Sequence, residues 1–240
     1  MSSWLKTNFA CYSVEYSPFD PGLIAVGSAQ YYGIVGNGKL GVYRRDGSFL
    51  QDSNTAIAEF LTQDGVYDVA WSEEGPGILA SACGDGTVKL FDITKPGGIL
   101  GSGANPLQPA LPGTIPNQGQ IHSGAICSIR PHTAEVYSVS WNGNQRNLLC
   151  TASWDASCAV IDVHRISQQR LPPNAPPDAS TLNRYRSHQK VAYCAVWSPH
   201  RANVFASVGG EGLLNLCDIK SGGLGAAGQH PASSIRAHDY

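Results

Sequence analysis

The residues of this sequence best equipped for chemistry are seven Cys, seven His and one phosphate-loop-like stretch, Gly33 to Leu40, "GIVGNGKL". The stretch matches G-x-x-x-x-G-K, but a phosphate loop needs a hydroxyl after the Lys for Mg²⁺ and a helix behind it. Leu40 supplies no hydroxyl, and the flanks read as two strands joined by a Gly/Asn turn, so a hairpin loop is expected. Cys11, Cys83, Cys127, Cys150, Cys158, Cys194 and Cys217 form no C-x-x-C pair. A zinc site needs clustered ligands, so these are expected to be mostly buried free thiols in a reducing compartment. Most His residues sit in repeat slots, insertions or the end of the chain, and none pairs with a nucleophile at a usable spacing. The expectation is a protein that is not an enzyme, with no cofactor and no metal.

The elements that must position these residues come as a repeat, which is read before local detail. "VYDVAWSEEGPGILASACGDGTVKLFD", Val66 to Asp92, returns in outline at Val136 and Ala192. The copies align on Trp71, Trp141 and Trp197. Asp85, Asp155 and Glu211 each follow by 14 positions, and Phe91-Asp92, Ile161-Asp162 and Cys217-Asp218 close the third strand. Nine positions before the last two Trp lie His132 and His188; Thr62 holds that slot in the copy before them. A weaker copy opens the chain, with Tyr16 in the Trp slot. Within each copy apolar and polar residues alternate over short runs, the period of strands. "GDG" at 84–86 is a tight hairpin signal, and no segment shows a convincing helical period. Short strands with turns at such a period fit an all-β propeller.

Two stretches interrupt the period. Pro96 to Ile121 and Ser167 to Ser180 are rich in Pro, Gly, Gln and Asn. They carry too little apolar surface to order themselves and are expected to be disordered loops between blades. The expected blades span about 9–45, 63–95, 126–163 and 184–219, in one partial propeller domain over 1–240, with a fifth beginning at about 233–240.

Net charge is −2, only 14% of residues are charged, and no Lys/Arg run stands out. Nucleic acid and anionic membrane need basic patches, so neither is an expected partner. The N-terminus shows no basic stretch followed by an apolar one, as a signal peptide would. No apolar run approaches the roughly 18–20 residues that span a bilayer, and there is no Asn-x-Ser/Thr acceptor.

The His…Trp…Asp…[Phe/Ile/Cys]-Asp pattern resembles the WD40 repeat, although no copy keeps Trp in the final Trp-Asp pair. The resemblance implies a buried network of His, turn Asp, a strand hydroxyl and that Trp. Here it would use His132, Asp155 and Ser153 or Thr151 in blade three, His188 and Glu211 in blade four, and Asp85 in blade two. These residues are expected to satisfy buried polar groups. The family usually closes seven blades, so the four counted here imply part of a longer ring, with "SSWLKTN" pairing with its last blade.

The family pattern places the loops before each first strand, and the hairpin tips, on one face. Four positions before the Trp slot that face carries Tyr12, Tyr67, Tyr137 and Tyr193. Tyr offers a large contact area with a polar tip and few rotors. The alternative is that these rings pack between blades. Asp64, Asp68 and Glu135 lie next to them, with Trp154 at a hairpin tip. An acidic, aromatic face suits a peptide that is basic and partly apolar.

A narrower resemblance follows from "YSVEYSPF" with "AVGSAQYYGIVGNGKL", "GVYDVAWSE" with "SACGDGTVKLFD", "HTAEVYSVSWN" with "SWD", and "YCAVWSPH" with "FASVGGEG". These are similar to the receptors for the type-2 peroxisomal targeting signal, the peroxin-seven family. Departures are Glu211 in an Asp slot and the lost Trp residues. The resemblance implies a cytosolic receptor that binds the short N-terminal helix of cargo enzymes. A co-receptor completes the site, and the complex reaches the peroxisome through a docking complex. Glu135, with Asp64 or Asp68, would take the helix's cationic side chain; Tyr67, Tyr137, Tyr193 and Trp154 would cover its apolar stripe. Other WD40 adaptors remain open at this point: a ubiquitin-ligase substrate receptor, a chromatin reader or a G-protein β-like scaffold.

Overall fold

The structure, a computed structural model, describes residues 6–44, 56–94, 124–168, 180–220 and 233–236. Within them the chain forms four antiparallel four-stranded sheets, each in simple chain order. The first comprises β1 (Ala10–Tyr16), β2 (Leu23–Ala29), β3 (Gly38–Arg44) and β4 (Ala58–Thr62). The second comprises β5 (Val66–Trp71), β6 (Ile78–Cys83), β7 (Val88–Asp92) and β8 (Cys127–Ile129). The third comprises β9 (Val136–Trp141), β10 (Leu148–Ser153), β11 (Cys158–Asp162) and β12 (Thr181–Tyr185). The fourth comprises β13 (Ala192–Trp197), β14 (Val204–Gly209), β15 (Leu213–Asp218) and β16 (Ser233–Arg236). These are four blades of a propeller arc, as the period-two patterning predicts.

The sequence repeat and the sheet are offset by one strand. Each repeat begins with a short strand that pairs with β3, β7, β11 or β15 of the blade before it. Cys127–Ile129 therefore belongs to the second blade, and Thr181–Tyr185 to the third. Ser233–Arg236, expected to open a fifth blade, completes the fourth. A second correction concerns Val163–Gln168, which forms a short helix, α1, where the sequence shows no helical period. Asp162 starts it by accepting the His164 backbone N–H at 3.0 Å. Of the interruption expected over 167–180, residues 167 and 168 lie in α1 and Ser180 is buried; residues 169–179, like 96–121, lie outside the described residues.

Cores form between sheets. Leu40, Val42 and Phe60 of the first blade meet Val66, Trp71 and Phe91 of the second. Ala80 and Leu90 meet Val139 and Leu149, and Cys150 and Val160 meet Ala195 and Phe205. Each strand contributes every second residue to one such layer. Truncating Leu79 or Leu149, both fully buried, is expected to cost about 2–5 kcal/mol. The outward faces of the first and fourth sheets are less covered: Val14 is 66% exposed and Val196 51%.

The inner strands β1, β5, β9 and β13 are also stitched by side chains across the blade seams. Ser13 Oγ donates to Asp68 Oδ1 at 2.6 Å and accepts the Val69 N–H. Glu15 Oε2 accepts the Trp71 N–H at 2.6 Å, and its carbonyl accepts the indole N–H at 3.1 Å. Asp68 Oδ2 accepts the Val139 N–H at 3.0 Å. Ser138 Oγ accepts the Ala195 N–H and donates to its carbonyl, both at 3.2 Å, and Ser140 Oγ accepts the Trp197 N–H at 3.4 Å. The residues three and one before the Trp slot therefore hold the next blade. Ala70 and Trp141 lack the second of these contacts because Ala has no acceptor.

Candidate peptide-binding face

The four tyrosines meet on one face, and a repeated backbone feature puts them there. In every inner strand the pairing register slips by one residue at the tyrosine: between Cys11 and Ser13, Val66 and Asp68, Val136 and Ser138, and Ala192 and Cys194. Tyr12, Tyr67, Tyr137 and Tyr193 are thus the unpaired residues of four β-bulges. A bulge breaks strict alternation and re-aims a side chain. The sequence of one strand does not show which residue leaves the ladder, because the register is set together with the partner strand.

The rings form a continuous row. Tyr12 meets Tyr67 edge-on at 5.3 Å between centroids, and Tyr67 stacks on Tyr137 at 5.2 Å. Tyr137 meets Tyr193 at 6.1 Å and Trp154 at 5.8 Å. The rings touch across blade boundaries and still present surface: Tyr12, Tyr193 and Trp154 are about half exposed. The two readings of these residues, contact between blades and an open aromatic face, coexist. Burial pushes the Tyr67 hydroxyl up to about 12, with Tyr137, Asp64, Tyr12 and Glu135 adding to it. Tyr137 is raised by the same burial and by Glu135. Both hydroxyls stay protonated donors.

Two carboxylates lie beside the row. Glu135 is half-buried, and its carboxylate makes no hydrogen bond or ion pair among the described residues. Its carbonyl accepts the Trp154 N–H at 2.9 Å, which ties the loop to the hairpin tip. Asp64 Oδ1 accepts the Gly65 N–H at 2.7 Å and is partly engaged with its own loop. Asp68, grouped with them in the sequence, lies one residue past the bulge and turns into the seam between blades. Its carboxylate there takes Ser13, Val69 and Val139 as partners. Burial raises its pKa, against the pull of those hydrogen bonds.

The His slots are internal. His132 Nε2 bonds Thr151 Oγ1 at 2.8 Å, and its Nδ1 faces Asp155 at 3.1 Å. Of the strand hydroxyls Thr151 and Ser153, Thr151 is the one in this network. Ser153 Oγ instead donates to the Ala134 carbonyl and accepts the Asp155 N–H. Desolvation alone would raise the Asp155 pKa, but bonds from His132, Ser157 and the Thr133 N–H outweigh it and lower it. In blade four His188 bonds Ser207 at 2.9 Å and Glu211 at 2.6 Å, so the longer side chain still reaches. Leu213 occupies the slot of Ser157, which removes that partner. In blade two Asp85 binds Thr87 and Lys89, while Thr62 Oγ1 donates to the Asp64 carbonyl at 2.6 Å.

The loop of the "GIVGNGKL" stretch is also part of this face. Gln30–Gly33 is a 3₁₀ turn, and β3 follows where a phosphate loop would need a helix. Tyr31 (φ 45°) and Tyr32 (φ 57°) are both left-handed, a conformation that costs roughly 1–2 kcal/mol per non-glycine residue. Among the described residues no three His, Cys, Asp or Glu gather as a metal site. All seven Cys are free; Cys11 and Cys194 are exposed, Cys127 is half-buried, and the other four are buried.

A β-propeller arc with an aromatic, acidic face defines a class of repeat scaffold. A sequence profile described as "WD domain, G-beta repeat" matches residues 55–92 and 123–162. Each match runs from an outer strand through the next three strands, the same offset seen in the sheets. Residues 55–92 and 123–162 are thus WD40 repeats. It is similar to the "Peroxisomal targeting signal 2 receptor" of Mus musculus, 33% identical over 82% of this chain and 48% of the relative. The receptor of that name from Dictyostelium discoideum is 36% identical over 64% of this chain and 40% of the relative. That of Saccharomyces cerevisiae is 29% identical over 88% and 52%. The chain spans about half the length of the curated relatives it matches.

Proposed function

We propose that this chain carries part of the binding face of a receptor for the type-2 peroxisomal targeting signal. The receptor takes up the N-terminal amphipathic helix of matrix enzymes in the cytosol. With a co-receptor it delivers them to a docking complex at the peroxisome. The observation that supports this reading best is the row of Tyr12, Tyr67, Tyr137 and Tyr193 with Glu135 beside it. The ring spacings, 5.2 to 6.1 Å, are close to the roughly 5.4 Å pitch of an α-helix. A helix lying along the row sets one apolar side chain per turn against successive rings, the helix-in-groove mode of recognition. A cationic side chain in its first turn meets Glu135, a charge-assisted contact of roughly 1.5–3 kcal/mol.

The similarity to named receptors raises the same reading, and it favours no enzymatic role. The test is fluorescence anisotropy on the full-length protein with a labelled type-2 signal peptide and a twin whose first Arg is Ala. Each is titrated with and without co-receptor. Selective binding of the Arg form, strengthened by the co-receptor, is the expected result. Equal or absent binding under all conditions leaves a WD40 scaffold with another partner. Capture of ligase subunits or histones in place of peroxisomal enzymes points to that alternative.

A further inference from the structure

Among the described residues, the hairpin tip between β2 and β3 carries the most exposed large apolar side chains on this side of the molecule. Tyr31 is 70% exposed, Tyr32 79%, Ile34 86% and Val35 65%. From Gln30 to Gly38 the tip carries no charged residue. Three consecutive residues, Tyr31, Tyr32 and Gly33, are left-handed, so the backbone is bent in a way few sequences adopt. Tertiary structure holds it there. The Tyr67 hydroxyl donates to the Gly33 carbonyl at 2.9 Å, and Gln30 closes the loop by bonding the Asn37 N–H through its side chain and the Asn37 carbonyl through its own N–H. A Cβ on Gly33 would sit 2.8 Å from the Tyr67 ring, so the tip lies directly on that ring. Large exposed apolar groups held in a strained, fixed conformation point to a binding role.

The face therefore has a polarity. Toward blade one it ends in the uncharged apolar tip, with the Asp64 carboxylate between, engaged through Oδ1 by the Gly65 N–H; toward blade three it holds Trp154 and the Glu135 carboxylate, which has no such partner among the described residues. We infer that the Tyr31–Val35 tip is a second contact for the same helical ligand and sets its direction, with the apolar end over blade one and the cationic end over blade three. This rests on the reading of the tyrosine row as a helix-binding face. Tyr67 links the two parts, since its ring belongs to the row and its hydroxyl positions the tip.

A coupling measurement tests the direction. The ligand is a labelled amphipathic peptide with one Arg in its first turn and a Leu in each following turn. Its binding to the full-length protein is measured by anisotropy. Ile34→Ser, at a solvent-exposed position, is expected to leave the melting temperature unchanged and weaken binding about tenfold, as truncation of a well-used contact does. With the last Leu of the peptide changed to Ala, the same variant should cost no more than about twofold, because the two changes remove one contact. With Arg changed to Ala the tenfold loss should persist, whereas Glu135→Gln should show the reverse dependence.

Ile34→Ser without effect, or coupled to the Arg end, overturns the inference. If Glu135→Gln and Tyr137→Ala still weaken binding in that case, the tyrosine-row reading stands and only the role of the tip falls. If none of the three variants changes affinity, both fall.

Discussion

Adjacent positions of the same four strands behave in opposite ways. At the bulge the residue is Tyr in every blade, its ring is partly open, and its backbone lies outside the register. One residue further on, the types differ from blade to blade: Ser13, Asp68, Ser138 and Cys194. The first three hold the next blade through hydrogen bonds. The seam needs only an acceptor of the right reach, which Ser and Asp both provide. The rim repeats one side chain, Tyr, in all four blades. The bulge is the device that separates the two tasks, by turning one residue out of the ladder before alternation resumes.

If the seam carries stability and the rim does not, Asp68→Ala should have the largest effect. It leaves the Ser13 hydroxyl and the buried Val139 N–H without an acceptor, and unfolding in urea should show a loss of about 3 kcal/mol.

Next in size is a pH effect. Glu15 lies on an exposed stretch of β1, but the protein wall around its carboxyl strips away water and lifts it from its ordinary 4.5 to about 7, with Asp68 and Glu73 adding repulsion against the pull of the Trp71 N–H bond. The folded state thus holds this proton more tightly than the unfolded chain. Its stabilising share is present below pH about 4.5 and is lost as pH rises toward 7. Glu15→Gln keeps an acceptor for the Trp71 N–H and removes the titration, so its stability should fall less than the parent's over that window. Asp155, lowered by its partners, acts in the opposite sense and loses its contribution as pH falls.

A seam built from hydroxyls should be milder. Ser140→Ala is expected to cost about 1 kcal/mol, the net worth of one hydrogen bond, with no pH dependence of its own. The smallest effect lies at the hairpin tip of blade three. Ala156 has φ +65°, where blades two and four place Gly86 and Gly212. Ala156→Gly removes a left-handed penalty and adds unfolded-state entropy, for a net gain of about 0.5–1 kcal/mol in thermal unfolding.

Much of this was legible in the sequence. Trp71, Trp141 and Trp197 fix the repeat, and period-two runs give the three inner strands of each blade. The row of four tyrosines is visible by position. The outer strands are not: Cys127–Ile129 and Ser233–Arg236 are short, follow stretches of sequence rich in Gly and Pro, and pair with the blade before their own repeat. Asp68 reads in the sequence as part of the face for a related reason, while its carboxylate lies in the seam. Register slips are set by the partner strand, so one chain's pattern does not reveal which of Tyr67 and Asp68 leaves the ladder. The choice of Thr151 over Ser153 is equally a matter of which hydroxyl the fold carries to His132.

The most direct test measures affinity and stability together for Tyr137→Ala, the ring at the centre of the row. Binding of a labelled type-2 signal peptide should weaken tenfold or more, an effect of about 1.4 kcal/mol, while the melting temperature shifts by only a few degrees. A clear fall in melting temperature with unchanged affinity would show that the row serves the fold, and would contradict the assignment of this face to peptide recognition.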